Sequence, residues 1–346
     1  MIKITAAVLS ELNKPLVIKK LKSRPLESGQ VLVKILYSGI CRSQLMECNG
    51  LRGEDKWLPH LLGHEGSGIV QEVGPNVKKF RQGDEVILSW IKGSGIDAKG
   101  ALYDSDSKVI NSGQVTTFSN YSVVSENRLF KKPKHLDFDT AILFGCALPT
   151  GAGMVINETS VKKNSLFIVI GLGGIGLSAI AMLLSLKVKK IIAIDISSKK
   201  LELVKSLGIS HTIDASKPNI QELVLEIFPY GAEYCIESAG KVSTIELGFS
   251  LLNRNKGKLL FASHPPEGEK IRISPHELIS GKSIAGSWGG AIDPDRDIPI
   301  LHHNFISANF PLNSLLTKPY SLLDINKALE DLKSGKVLRP LIKMEH

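Results

Sequence analysis

Residues 165–195 read SLFIVIGLGGIGLSAIAMLLSLKVKKIIAID. An apolar run of strand length stops at Gly171, a glycine cluster follows, helix-forming apolar residues continue to Leu186, and IIAID ends on Asp195. The segment from Ser165 to Leu186 carries no charge and is long enough to cross a bilayer. Its centre of turn formers, Gly171, Gly173, Gly174 and Gly176, predicts instead a buried strand, a tight turn and a buried helix. GLGGIG, with Ile175 before the last glycine, has the G-x-G-x-x-G spacing that lets backbone approach a pyrophosphate at a helix start. Asp195, 19 residues beyond Gly176 at the end of the next strand, is placed to accept ribose hydroxyls. A carboxylate there repels a 2′-phosphate, so NAD is favoured over NADP. Ser197, Ser198, Lys199 and Lys200 soften that preference because they can accommodate phosphate, and Lys200 is kept as a cofactor candidate.

Outward from this stretch the rhythm persists. Strand-like HTID, AEYCIES and GKLLFAS alternate with helical segments around KKLELVKSLG, QELVLEIF and TIELGFSLL, the pattern of a parallel, doubly wound sheet. Before residue 150 the chain changes to short β-type runs separated by Gly, Pro and Asn (VLVKILYSGI, GSGIVQEVG, DEVILSW, NYSVVS), as in a small barrel or sandwich. The final stretch, with DINKALEDLKSGK as a polar-faced helix, is expected to return to the first domain. The predicted class is therefore α/β: a Rossmann domain over 149–290 and a mostly-β catalytic domain over 1–148 and 291–346.

At 346 residues the chain suits two cores that need no disulfides. With 43% hydrophobic and 22% charged residues and no long run of like charge, nearly all of it is expected to fold. The net charge of +9 comes from scattered pairs such as Lys78-Lys79 and Lys131-Lys132, which form no stripe for nucleic acid and carry no reader motif. Four cysteines and a start without a long apolar signal region point to a reducing, cytoplasmic compartment and thiols that are free or metal-bound.

Two of those cysteines, Cys41 in GICRS and Cys146 in FGC, end apolar segments beside small residues, and His64-Glu65 lies between flexible glycines in GHEGSG. Two thiolates and one imidazole form a catalytic zinc set that leaves a fourth position open. Spacing alone is equally compatible with buried structural cysteines.

GICRS, GHEGSGIV, GDEV (Gly83 to Val86), GCALPTGAG and GLGGIG with Asp195, in this order, resemble the zinc-containing alcohol dehydrogenases of the medium-chain dehydrogenase/reductase superfamily across nearly the whole chain. The resemblance implies a co-chaperonin-like barrel for the catalytic domain, with zinc on Cys41, His64 and Cys146. It implies that Glu65 stands behind the metal and can exchange onto it, and that Ser43 bonds the substrate oxygen and starts a proton relay. Arg42 and Arg339 are implied contacts of the cofactor pyrophosphate, and Thr150 is implied to lie beneath the nicotinamide. Three departures carry expectations of their own. Residues 91–124 contain no cysteine where relatives hold a second, structural zinc in a four-cysteine loop, so one zinc per chain is expected. Gln44 replaces the Asp that supports the zinc-bound His, which should make the site more electropositive. Met46 stands where some members have a relay His, so the proton must leave Ser43 by another route.

The expected reaction is hydride transfer between an alcohol and NAD, with zinc polarising the oxygen. Trp90 and Trp57 are candidate pocket walls. The polar, glycine-rich insert from Ile91 to Asn120 and the positive charge favour a polyol, sugar or anionic alcohol. Rival readings are a zinc-free quinone or alkene reductase of the same superfamily and a non-catalytic NADH-binding protein. The expected partners are a small alcohol or carbonyl compound and further copies of the chain, as a homodimer or homotetramer, without nucleic acid or membrane.

Overall fold

The computed structural model of the protein describes residues 2–105 and 108–346; Met1 and, within the polar insert, Asp106 and Ser107 lie outside it. The chain divides into two compact units, one of residues 1–146, 293–299 and 311–346, the other of 147–292 and 300–310. The return segment is thus shared between them. Among the described residues no single helix is both long and apolar enough to cross a membrane.

In the second unit six parallel strands lie in the order His211–Asp214, Lys190–Asp195, Leu166–Ile170, Tyr234–Glu237, Lys258–Phe261, Ser283–Gly286. The chain enters at the middle, moves to one edge and returns to build the other half, as in a doubly wound sheet whose switch point lies beside the first strand. Leu166–Ile170 shows why the sequence reads as an uninterrupted apolar run. Ile168 and Ile170 pack with Ile192, Ile194 and Cys235 on one face, and Phe167 and Val169 are buried on the other, where the Phe167 ring stacks on Tyr234. The helix that follows, Gly174–Ser185, is buried nearly all round, with Leu177, Ala179, Ile180, Ala181, Met182 and Leu183 wholly inaccessible. That burial accounts for the uncharged stretch which length alone would allow to span a bilayer.

The first unit holds a closed five-stranded barrel, Lys3–Leu9, Val17–Ser23, Leu102–Ser105, Lys108–Asn111 and His60–Leu61. Beside it runs a sheet ordered Leu129–Lys131, Glu85–Ser89, Glu65–Val73, Gln30–Gly39, Leu341–Lys343, Tyr320–Ser321, with Tyr121–Ser125 also paired to Gln30–Gly39. Alternation along Gln30–Gly39 serves two cores. Val31, Val33 and Ile35 face one with Leu88, Phe118 and Leu329, and Leu32 faces the other with Tyr103 and Val123. Antiparallel pairing of Glu65–Val73 with both Gln30–Gly39 and Glu85–Ser89 brings the ends of three motif-bearing strands together at one edge.

Candidate metal centre and cofactor turn

Cys41 directly precedes the helix Arg42–Cys48, at the end of the strand Gln30–Gly39 and its short exit. His64 directly precedes the strand Glu65–Val73. The preceding Gly63 has φ of +91°, and a Cβ there would meet Thr117 Oγ1 at 2.4 Å, so this turn into the site tolerates no side chain. Cys146 ends the short helix Ile142–Gly145. From these three unrelated places the two Sγ atoms and an imidazole nitrogen converge to within 4.8 Å of one another. Cys146 is buried, and Cys41 and His64 are half-buried.

The donor chemistry suits a metal. His64 Nδ1 is taken by the Gln44 amide at 2.5 Å, while Nε2, also buried, has no oxygen or nitrogen partner. The Cys41 thiol is held well below its ordinary range, foremost by a hydrogen bond from Cys146 and then, against the cost of burial, by the charge of Arg339 and by His64. Cys146 is pushed well above its range by the same pairing and by burial. Two adjacent sulfurs beside an orphaned imidazole nitrogen make a donor set that a divalent cation would complete. The other two cysteines are elsewhere. Cys48 is buried in the first unit, its thiol pushed up to about 12 by burial and Glu47, and Cys235 lies in the core of the second.

Glu65 is wholly buried at this centre with its Oε1 3.1 Å from Arg339 Nη1, and Arg339 is itself buried. Burial raises the Glu65 carboxyl to about 7, with Arg339 opposing and Cys41 adding to the rise. Burial alone would lower Arg339, but Glu65 and then the two sulfurs raise it, so it is a fixed cation. Ser43 Oγ is buried and has no hydrogen-bond partner among the described residues. Arg42 is exposed.

A cavity of about 1020 Å³ opens in the first unit, and His64 and Gln44 form part of its wall. Trp90 lines it with its ring centroid 6.4 Å from that of His64, and Trp57, 72% exposed, stands at the cavity as well. The sequence reading missed Arg128, which also lines this space. Its Nη1 donates to the Trp90 carbonyl and its Nη2 to Gln114 Oε1 at 2.5 Å, with no carboxylate at ion-pair distance among the described residues. Nothing local in VSENRLF marks it, because its partners come from two distant loops.

The loop bordering this cavity is fastened by acids. Glu126 Oε1 accepts from the backbone N–H groups of Lys78 and Lys79, both at 2.7 Å, and its Oε2 from that of Ile96 at 2.8 Å. Asp97 accepts from Lys92, Gln114 and Asn127 at 2.6, 2.6 and 3.0 Å.

In the second unit the glycine turn has the form its spacing predicts. Gly171 has φ of +86°, a Cβ on Gly176 would stand 1.9 Å from the Gly171 carbonyl, and a Cβ on Gly173 would meet nothing within 4 Å. The last glycine therefore seats the helix on the strand, and the middle one leaves open space at the helix N-terminus, where a pyrophosphate fits. Asp195 closes the turn: Oδ2 accepts from the Leu172 N–H at 2.6 Å and Oδ1 from the Ser197 N–H at 2.9 Å. Lys200 Nζ lies 3.6 Å from Asp195 Oδ2 and is thereby partly neutralised. Thr150 is buried on the helix Ala147–Glu158. Sequence reading also passed over Glu237, a buried acid ending the strand Tyr234–Glu237, whose Oε1 accepts from Ala239, Gly240 and Thr244. An acid at a strand end before a glycine was the available signal.

Residues 27–134 match the alcohol dehydrogenase GroES-like domain family, and residues 174–305 the zinc-binding dehydrogenase family. An S-(hydroxymethyl)glutathione dehydrogenase of Synechocystis is 30% identical, the match spanning 97% of this chain and 98% of that protein. The chain belongs to the zinc-containing alcohol dehydrogenases of the medium-chain dehydrogenase/reductase superfamily. Solved relatives agree along their whole length. A benzyl alcohol dehydrogenase of Acinetobacter calcoaceticus superposes with a TM-score of 0.90 at 30% identity, and an alcohol dehydrogenase zinc-binding domain protein of Burkholderia ambifaria with 0.91 at 29%; each match covers 100% of both chains. As a member of this family the protein is an oxidoreductase, with the Rossmann-type domain that the strand–helix pattern anticipates and the GroES-like domain that the resemblance implies.

Proposed function

We propose that this oxidoreductase is a zinc-dependent, NAD-linked alcohol dehydrogenase with one catalytic zinc per chain. The observation that carries the proposal is the convergence of Cys41, His64 and Cys146 with an unpartnered imidazole nitrogen among them. Cys41, His64 and Cys146 would hold the zinc, which would supply Lewis acidity toward a hydroxyl or carbonyl oxygen, and the glycine turn would hold NAD, which would supply the hydride acceptor. Ser43, whose buried hydroxyl has no hydrogen-bond partner among the described residues, takes the proton of the substrate hydroxyl as it passes its own on to water. Glu65, held by Arg339, balances charge behind the metal ligands and is the candidate exchangeable ligand. Arg42, Arg339 and Thr150 serve the cofactor. Asp195 favours NAD over NADP, since its carboxylate already anchors the turn and would repel a 2′-phosphate. The free cysteines suit a cytoplasmic enzyme, acting as a homodimer or homotetramer.

The substrate reading rests on the cavity. Its volume exceeds what a short aliphatic alcohol fills, and Arg128, Gln114 and Lys99 on its wall are groups that hydroxyls and anions can pair with. A polyol, sugar or anionic alcohol fits this wall better than an apolar one. The test is reduction of NAD⁺ across a panel of aliphatic, aromatic, polyhydroxy and acidic alcohols. Cys41→Ser and His64→Ala should lose turnover while still binding NADH. Full activity in protein freed of metal would overturn the reading in favour of a zinc-free reductase.

A further inference from the structure

Gln44 engages the candidate metal site with both ends of its amide. Oε1 accepts from the Cys41 backbone N–H at 2.7 Å, and Nε2 lies 2.5 Å from His64 Nδ1. A backbone N–H can only donate, so the amide oxygen is the end facing Cys41 and the NH₂ is the end facing the ring. The amide therefore donates to Nδ1, which must present its lone pair. In a neutral imidazole the proton then resides on Nε2, the nitrogen left for the two sulfurs. A metal needs a lone pair at that same atom. Moving the proton to Nδ1 sets N–H against the Gln44 NH₂. Turning the amide over relieves this contact and sets the NH₂ against the Cys41 N–H instead. A carboxylate at position 44 meets neither obstacle, because both of its oxygens accept.

We propose that Gln44 is a positioning residue that opposes the metal, holding His64 in the tautomer that cannot ligate, so that zinc at this site is bound weakly and exchanges readily. The inference rests on the zinc reading above and concerns affinity, not the chemistry of turnover. It differs from a mere loss of negative charge, because the obstacle is a pair of opposed donors.

The test measures zinc dissociation constants by chelator competition for the full chain and for Gln44→Glu and Gln44→Ala, with ¹⁵N NMR of the His64 ring in the metal-free wild type. Expected are a proton on Nε2 and none on Nδ1 without metal, a proton on Nδ1 after zinc loading, and zinc binding at least about tenfold tighter in Q44E. Q44A removes the opposing donor without adding charge, so it should bind zinc no more weakly than wild type. A supporting role for Gln44 would instead weaken Q44A about 10–100-fold, and that loss, or a proton on Nδ1 in the metal-free protein, overturns the proposal. The spectrum uses wild-type protein alone and decides even if a variant misfolds. Absence of zinc binding in every version would overturn the zinc reading itself and this inference with it.

Discussion

Glu126→Gln changes neither the size nor the shape of a residue that is only 2% exposed, yet it is expected to loosen the lobe over residues 91–114. Burial alone would raise the Glu126 carboxyl, but the N–H groups of Ile96, Lys79 and Lys78 hold it below its ordinary range, so the wild-type side chain is an anion near neutral pH. Two of its three bonds become neutral, at about 1 kcal/mol each, and the Ile96 N–H meets an NH₂, an unsatisfied buried donor costing at least about 1 kcal/mol. The sum is about 3 kcal/mol, or roughly 6–12 °C in the unfolding midpoint of a domain of this size. The same anchors fix the response to acid. Asp97 sits at about 2, chiefly through Lys92 and then Asn127 and Gln114, against a reference of 3.8. A depressed folded pKa gives stabilisation that is complete above the reference value and lost as pH falls, so the lobe should loosen between about pH 4 and pH 2. Thermal melts and limited proteolysis of residues 91–114 read both effects. A melt of E126Q within about 0.5 kcal/mol of wild type would refute the reasoning. So would a chelator that makes the wild-type lobe as protease-sensitive as the variant, since a metal would then be holding it.

Breaking the buried Glu65–Arg339 pair from either side, by E65Q or R339M, should cost about 3–5 kcal/mol in unfolding experiments. The double variant should recover part of that loss, and additivity within about 0.5 kcal/mol would show that the two groups are not coupled. At the cofactor turn two alanines should separate folding from binding. Gly176→Ala forces a methyl to 1.9 Å from a carbonyl and should lose about 1–3 kcal/mol of stability, whereas Gly173→Ala should melt like wild type and lose NADH affinity by titration. Equal NADH binding by wild type and G173A would remove the pyrophosphate from that position.

The nucleotide fold was legible because its signals are local. An apolar strand, a glycine spacing and an acid at the next strand end occupy residues 165–195, and each has its cause within that stretch: φ at Gly171, contact at Gly176, the Leu172 N–H on Asp195. The metal ligands were legible as residue types but not as neighbours. Cys41 and His64 meet because Gln30–Gly39 and Glu65–Val73 pair across the sheet, and Cys146 joins them where Ser89, at the end of the next strand, donates to the Gly145 carbonyl at 2.7 Å; spacing left buried cysteines equally open. The missing structural cysteines were visible, but not what fastens the lobe instead. The partners of Glu126 are backbone N–H groups from two loops, and backbone donors carry no residue signature. Gln44 lies between these cases: its identity stood out, while the direction of its amide depends on the Cys41 N–H, which only coordinates reveal.

Zinc K-edge X-ray absorption on the purified enzyme tests the central claim most directly. The account predicts one zinc per chain with two sulfur neighbours near about 2.3 Å and a nitrogen near about 2.0 Å, all lost in Cys41→Ser and His64→Ala protein. An active enzyme without zinc, or zinc with no sulfur in its coordination, would contradict it.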